Sequence, residues 1–214
     1  ASGTAGGYAV YTYSNNRYGT TSDSTKIINN YIVVGKDLNT GTRRGINLYY
    51  YNYRAIVYHN NIKVLGNAGG EAMYTYYLYN SDLKNNIMEN LGGTTWYDQV
   101  PNNVTRDYNA FWTGTVGANG TNGGTAGTNS LVTNPRFKNP NDCDLRVNSI
   151  QLDSAAVNVG INEDIYSAPR VLGFHDIGAH EFDACYYDAA MTKLSTIYTS
   201  VPAGQSVYLN GTVA

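Results

Sequence analysis

The sequence predicts an all-β fold, a right-handed parallel β-helix, on three observations. These are a composition suited to strands and corners, a recurring Asn-Asn pair, and a second motif that moves in step with that pair. Among 214 residues there are 21 Tyr and 23 Gly against 4 Phe and 2 Trp. Tyr favours strands and Gly favours turns, and no stretch carries the apolar period of an amphipathic helix. Charged residues make up 14% and the formal net charge is -2, which argues against a nucleic-acid partner or attraction to an anionic membrane. No apolar run reaches the ~18 residues of a membrane-spanning helix, so membrane insertion is not expected.

The Asn pairs stand at Asn29-Asn30, Asn60-Asn61 and Asn85-Asn86, with 31 residues from Asn29 to Asn60 and 25 from Asn60 to Asn85. The second motif ends at Asn15 in "GYAVYTYSN", at Asn52 in "GINLYYYN" and at Asn80 in "MYTYYLYN". Its steps are 37 and 28 residues, so both spacings shorten together. A coil of this length cannot bury its apolar face alone. Stacked coils bury a continuous column and pair each strand with its equivalents above and below. Asn suits the corner because it tolerates the left-handed backbone, and its amide can bond the Asn of the next coil. Asn-rich loops of a β-sandwich are the alternative. They give no reason for apolar residues at fixed offsets, as at Tyr31, Ile62 and Ile87 after the pairs and Ile27, Tyr58 and Leu83 before them.

Residues 1–113 therefore read as β-helix coils. The segment 114–130, "GTVGANGTNGGTAGTNS", lacks apolar periodicity and reads as a long surface loop. Residues 131–183 read as an irregular closing segment. Residues 184–214 read as strand, turn and strand, either the first strands of an immunoglobulin-like domain or a cap on the solenoid. The opening "ASGTAGGYAV" has no initiator Met, and the chain is expected to be a piece of an exported protein.

The runs "RDYNAFWTG", "NPRFKNPNDCDLRVNSIQLDSAAVNVG" and "APRVLGFHDIGAHEFD" resemble, in that order, the closing part of the secreted right-handed β-helix proteins of the "choice-of-anchor Q" type. The resemblance covers roughly residues 24 to 183. It departs at Cys143, where the family usually has Gly, at Ala155 for Pro, and at Asn158 for Asp. It implies the β-helix fold and an extracellular or cell-surface location in a bacterial-type protein. Activity is not implied, because a fold hosts many functions.

Several residue groups are candidates for chemistry or contact. Counting back from Asn15, Asn52 and Asn80, even offsets place Tyr13, Tyr50 and Leu78, and Tyr11, Leu48 and Tyr76, inward. Odd offsets place Tyr49, Tyr51, Tyr77 and Tyr79 on one outer face, suited to self-association, another surface protein or a polysaccharide. Aromatic ladders that only stabilise the strand stack are the plain alternative. A polysaccharide lyase would need a base and cations to hold an enolate; His59, Lys63, Lys84 and Arg54 are the candidates, with His59 and Lys84 expected at one position of successive coils. Scattered basic residues on a solenoid wall are otherwise solvated surface. No cofactor is required. Calcium could find oxygen ligands in "NPNDCDLRV" or "GINEDIYS", though neither matches a known calcium loop. Cys143 and Cys185 could form a disulfide or remain two buried thiols. The leading expectation is a non-catalytic stalk, adhesin or self-assembling element, with a lyase or glycan-binding module as the alternative.

Overall fold

The computed structural model describes residues 7–17, 23–35, 42–66, 70–114, 120–122 and 126–182. Its strands are β1 (Gly7–Tyr13), β2 (Thr25–Ile28), β3 (Tyr31–Val34), β4 (Arg43–Tyr53), β5 (Ala55–Tyr58), β6 (Asn61–Val64) and β7 (Glu71–Lys84), followed by β8 (Ile87–Asn90), β9 (Thr94–Gln99), β10 (Asn102–Asp107), β11 (Ala110–Trp112), β12 (Thr121–Asn122) and β13 (Leu131–Val132). The pairings are parallel and stack as a β-solenoid of about three turns.

Three walls surround the core. β1, β4, the first half of β7, β9 and β12 form the first wall. β2, β5, the second half of β7 and β10 form the second. The third contains β3, β6, β8, β11 and β13. Equivalent residues superpose into apolar columns: Ile46, Met73 and Trp96 on the first wall, Ile27, Val57 and Leu83 on the second, Ile32, Ile62, Met88 and Phe111 on the third. All belong to one buried cluster. At the β9–β10 layer the columns turn polar. Asp98 and Arg106 pair across the interior at 2.9 Å, and the Thr75 hydroxyl donates to Asp98 at 2.6 Å. Burial nevertheless pushes the Asp98 carboxyl above its usual range.

The corner between second and third walls repeats in every layer. Its first residue is left-handed, at Asn29 (φ 55°), His59 (φ 53°), Asn85 (φ 59°) and Tyr108 (φ 54°). Its second residue is Asn30, Asn60, Asn86 or Asn109, whose amides run as a ladder along the stack. The backbone N–H and Nδ2 of Asn60 both donate to Asn86 Oδ1, at 3.1 and 2.9 Å. The same pair of bonds links Asn30 to Asn60 and Asn86 to Asn109. Nδ2 of each also donates to strand carbonyls, as Asn86 does to Val57 and Lys84. The true register is thus 30, 60, 86, 109. The sequence-based alignment took Asn60 with Asn29 and Asn85, one residue off, and missed Asn109. One consequence is that His59 and Lys84 do not share a position: Lys84 lies beside Tyr58, while His59 occupies the left-handed site of Asn29 and Asn85.

The expected inward placement of Tyr11, Tyr13, Tyr50 and Tyr76 is also overturned. Tyr11 and Tyr13 are 50% and 57% exposed, whereas Leu48 and Leu78 are fully buried as expected. Left-handed residues at Tyr50, Tyr51, Tyr77 and Asn80 interrupt the strand, and the β4–β7 register shifts between Tyr49 and Asn52. Such a bulge breaks the period of two on which counting depends.

Within 114–130, β12 continues the first wall on β9 and the Ser130 hydroxyl accepts from the Asn109 N–H at 3.1 Å, so this stretch contributes to the next layer. After β13 the chain lies against the outer side of the third wall, where Ile87 and Ala110 cluster with Val147, Leu152 and Ile177. Cys143 is exposed with a free thiol, so the buried-thiol alternative does not hold for it. Its φ of 61° is the left-handed region that glycine favours. Cys185 and the expected strands of 184–214 lie outside the described residues.

Removing one rung of the ladder leaves buried N–H and C=O groups without partners, each costing about 1–3 kcal/mol. Asn86→Ala is therefore expected to lower stability by about 3 kcal/mol or more. Gln99→Ala, which removes an exposed bond to the Tyr97 hydroxyl, is expected to change it by less than about 0.5 kcal/mol. Urea midpoints of the two variants check this.

Candidate functional site

The outer side of the first wall and the adjoining bend carry a continuous field of tyrosine rings. The β1 layer contributes Tyr8, Tyr11 and Tyr13, the β4 layer Tyr49, Tyr50, Tyr51 and Tyr53, the β7 layer Tyr74, Tyr76, Tyr77 and Tyr79, and β9 Tyr97. Parallel stacking places equivalent side chains about 4.8 Å apart, and the rings meet accordingly. Tyr53 stacks on Tyr79 at 4.7 Å, Tyr51 on Tyr77 at 5.0 Å, Tyr74 on Tyr97 at 5.1 Å and Tyr49 on Tyr76 at 5.6 Å. Tyr50, turned outward by its left-handed backbone, crosses Tyr51 and Tyr77 edge to face. The sequence-predicted residues Tyr49, Tyr51, Tyr77 and Tyr79 all lie in this network. The rings misplaced inward by counting extend it.

The face is amphipathic and carries little free charge. The Arg44 guanidinium lies 3.6 Å from the centre of the Tyr74 ring and pairs with Glu71 at 2.8 Å, and Arg17 lies over Tyr51 at 4.4 Å. The neighbouring Tyr51 pushes the Tyr50 phenol up, the hydrogen bond with Tyr77 raises Tyr76, and burial raises Tyr74 and Tyr79. These phenols stay neutral well above pH 7.

The four candidate lyase residues are dispersed around the coil. Arg54 sits at the bend between first and second walls and donates to the carbonyls of Asp23 and Asn16. Lys84, on the second wall, pairs with Asp82 at 3.0 Å, and the Tyr58 hydroxyl donates to the same carboxylate oxygen. Lys63, on the third wall, forms a buried ion pair with Glu89. His59 is fully buried at the corner. Asn85 exchanges bonds with Val157, accepting its N–H and donating Nδ2 to its carbonyl. That orientation turns Nδ2 toward His59 Nε2, 3.0 Å away, so Nε2 accepts and Nδ1–H donates to the Gly178 carbonyl. Burial, aided by the nearby Arg170 charge, pulls the imidazole down to about 3. It is neutral at pH 7 with both nitrogens engaged, which leaves it no lone pair for proton abstraction.

The outward corner side chains belong instead to the docking of the closing segment. Arg170 donates to Asn29 Oδ1, to the Gly178 carbonyl and to Glu181. Asn61 donates to the Leu145 carbonyl and accepts from the Ala179 N–H. Gly178 must lack a side chain, because a Cβ there would stand 2.4 Å from Asn61 Oδ1 and its φ is 110°. Asp176 accepts the N–H groups of Ser154 and Phe182. The two carboxylates of "FHDIGAHEF", Asp176 and Glu181, are therefore engaged in holding the closing segment together. Asp144 is held by Arg146, and Asp164 accepts from the Tyr166 and Ala168 N–H groups. One carboxylate in each stretch suggested for calcium is thus engaged in internal bonds, and no metal-ligating cluster stands among the described residues. Searches of family models, curated proteins and solved structures each returned no match.

The His59 environment has a pH consequence. An unfolded His takes up a proton near pH 6.5, while the folded imidazole resists it down to about 3. Its contribution to stability is therefore lost as pH falls from about 6.5 toward 3, by up to about 1.4 kcal/mol per pH unit. His59→Asn places at this corner the residue found at 29 and 85. It is expected to remain folded at pH 7.5 and to lose less stability than the parent between pH 7.5 and 5. Urea titrations at both pH values give the difference, and an identical acid loss would contradict the assignment.

Proposed function

We propose that this chain is a non-catalytic β-solenoid module of a secreted or cell-surface protein of the choice-of-anchor Q type, and that its tyrosine face binds a second copy of the chain. The observation that carries this reading is the uninterrupted ring field over four layers. Tyr is suited to contact because it offers a large rigid surface with a polar tip at small entropic cost. Stacked rings, such as Tyr53 and Tyr79 at an interplanar angle of 10°, turn their faces to one another and their edges and hydroxyls outward. That arrangement favours interdigitation with a matching face over the ring-face stacking a sugar would use. The guanidiniums on the face already rest on rings, and the net charge of -2 sets only weak repulsion between copies. The dispersal and full engagement of His59, Lys63, Lys84 and Arg54 count against the lyase alternative.

The test is sedimentation velocity across a concentration series. The parent chain is expected to show reversible association, and Tyr51→Ser with Tyr77→Ser to reduce it about tenfold or more, as loss of a central aromatic pair does, with circular dichroism unchanged. A strictly monomeric parent, or a double variant that associates equally well, would overturn the reading.

A further inference from the structure

The tyrosine field also has the arrangement of an oxidation site. Its ring contacts run unbroken across four layers, from Tyr11 to Tyr49 at 6.5 Å, Tyr49 to Tyr74 at 6.3 Å and Tyr74 to Tyr97 at 5.1 Å. A second branch leads from Tyr13 to Tyr50 at 5.8 Å and on to Tyr51 at 4.5 Å. Every ring on these paths is a phenol, so each contact joins two groups that can lose a hydrogen atom to a one-electron oxidant. The paths are open to such an oxidant at Tyr11 and Tyr13, both about half exposed. A phenoxyl radical formed there exchanges a hydrogen atom with the next phenol and so moves inward along the field. The oxidisable sulfur beneath this wall, at Met73, is fully buried and does not compete.

One pair is placed to couple. Tyr53 lies face over Tyr79 at 4.7 Å, whereas a carbon–carbon bond between two phenols joins ring edges that lie side by side. Tyr51 stands two residues before Tyr53 in the same layer, so it meets Tyr79 diagonally, with centroids 6.2 Å apart and planes at 16°. That offset sets the two rings beside one another. Both are partly exposed, and rotation about the bond from Cβ to the ring is soft, so the edges carrying the ortho carbons can turn together. Each phenol gives up one hydrogen atom, the two radicals join through their ortho carbons, and the hydrogens displaced there return to the phenolic oxygens. The two hydrogen atoms lost reduce one hydrogen peroxide to two waters. A link here closes a loop from residue 51 to residue 79 and fastens successive coils at the bend away from the asparagine ladder.

We infer that Tyr51 and Tyr79 form a dityrosine site, fed by the phenols around them and acted on by a peroxide-dependent one-electron oxidant of the haem peroxidase class. The link lies within one chain, so it does not depend on self-association, and either can fail without the other. The test is treatment of the thiol-alkylated chain with hydrogen peroxide and a haem peroxidase, at a dilution where sedimentation shows monomer. Dityrosine fluorescence and mass spectrometry of the monomer and its peptides are then measured. Expected are a monomer lighter by two hydrogen atoms and a cross-linked peptide pair joining residues 51 and 79. Tyr51→Phe with Tyr79→Phe keeps both rings, and is expected to match the parent by circular dichroism and to lose most of the fluorescence. The inference is overturned if the parent monomer forms no dityrosine while N-acetyltyrosine amide couples under the same conditions. It is equally overturned if the bond maps to other tyrosines, or if the Phe variant retains the full yield.

Discussion

The corner between the second and third walls is the constraint on which the rest of the molecule depends. Two successive residues turn the chain there, and their side chains leave in opposite directions. The left-handed residue points outward, and the asparagine after it points inward, where its amide ties its own corner to the next. A parallel sheet cannot satisfy the backbone groups at a bend by strand pairing alone, and a buried orphan is expensive. The Asn30, Asn60, Asn86 and Asn109 ladder supplies the missing partners. It also fixes the register of every strand that follows.

That register has opposite consequences on the two sides of the coil. Where the corner points outward, Asn29, His59 and Asn85 are consumed by the closing segment through Glu163, Gly178, Val157 and Arg170. Residues that look like acid-base groups in the sequence therefore hold a strap against a wall. Where the first wall bends instead, left-handed Tyr50, Tyr51 and Tyr77 break the alternation, and Tyr50, which strict alternation would have buried, joins the outer rings. The same backbone device that stores polar groups at one corner displays aromatic ones at the other. The tyrosine field thus lies on a surface that the corner leaves unoccupied.

The fold was legible in the sequence because Asn is one of the few residues that answers both demands of the corner, left-handed geometry and an amide on each side of a bond. The register was less legible. His59-Asn60-Asn61 places an Asn where the other coils have Tyr31 and Ile87, so either Asn of the pair could be aligned with its neighbours. Asn109 was hidden because Tyr108 fills the left-handed site before it; the signal available was Asn followed by Ala110 and Phe111, matching Asn86 followed by Ile87 and Met88. The tyrosine face was found only in part, since parity counting fails across a bulge.

The central claim is that side-chain amides, in addition to strand pairing, hold the coils in register. Hydrogen exchange measured by NMR on the backbone amides of Asn60 and Asn86 tests it most directly, because each donates to an asparagine side chain in place of a strand carbonyl. The account predicts that both exchange only through global unfolding, as slowly as the core strand amides of Ile62 and Met88. Exchange of Asn60 and Asn86 at the rate of exposed turn amides, while Ile62 and Met88 stay protected, would contradict it.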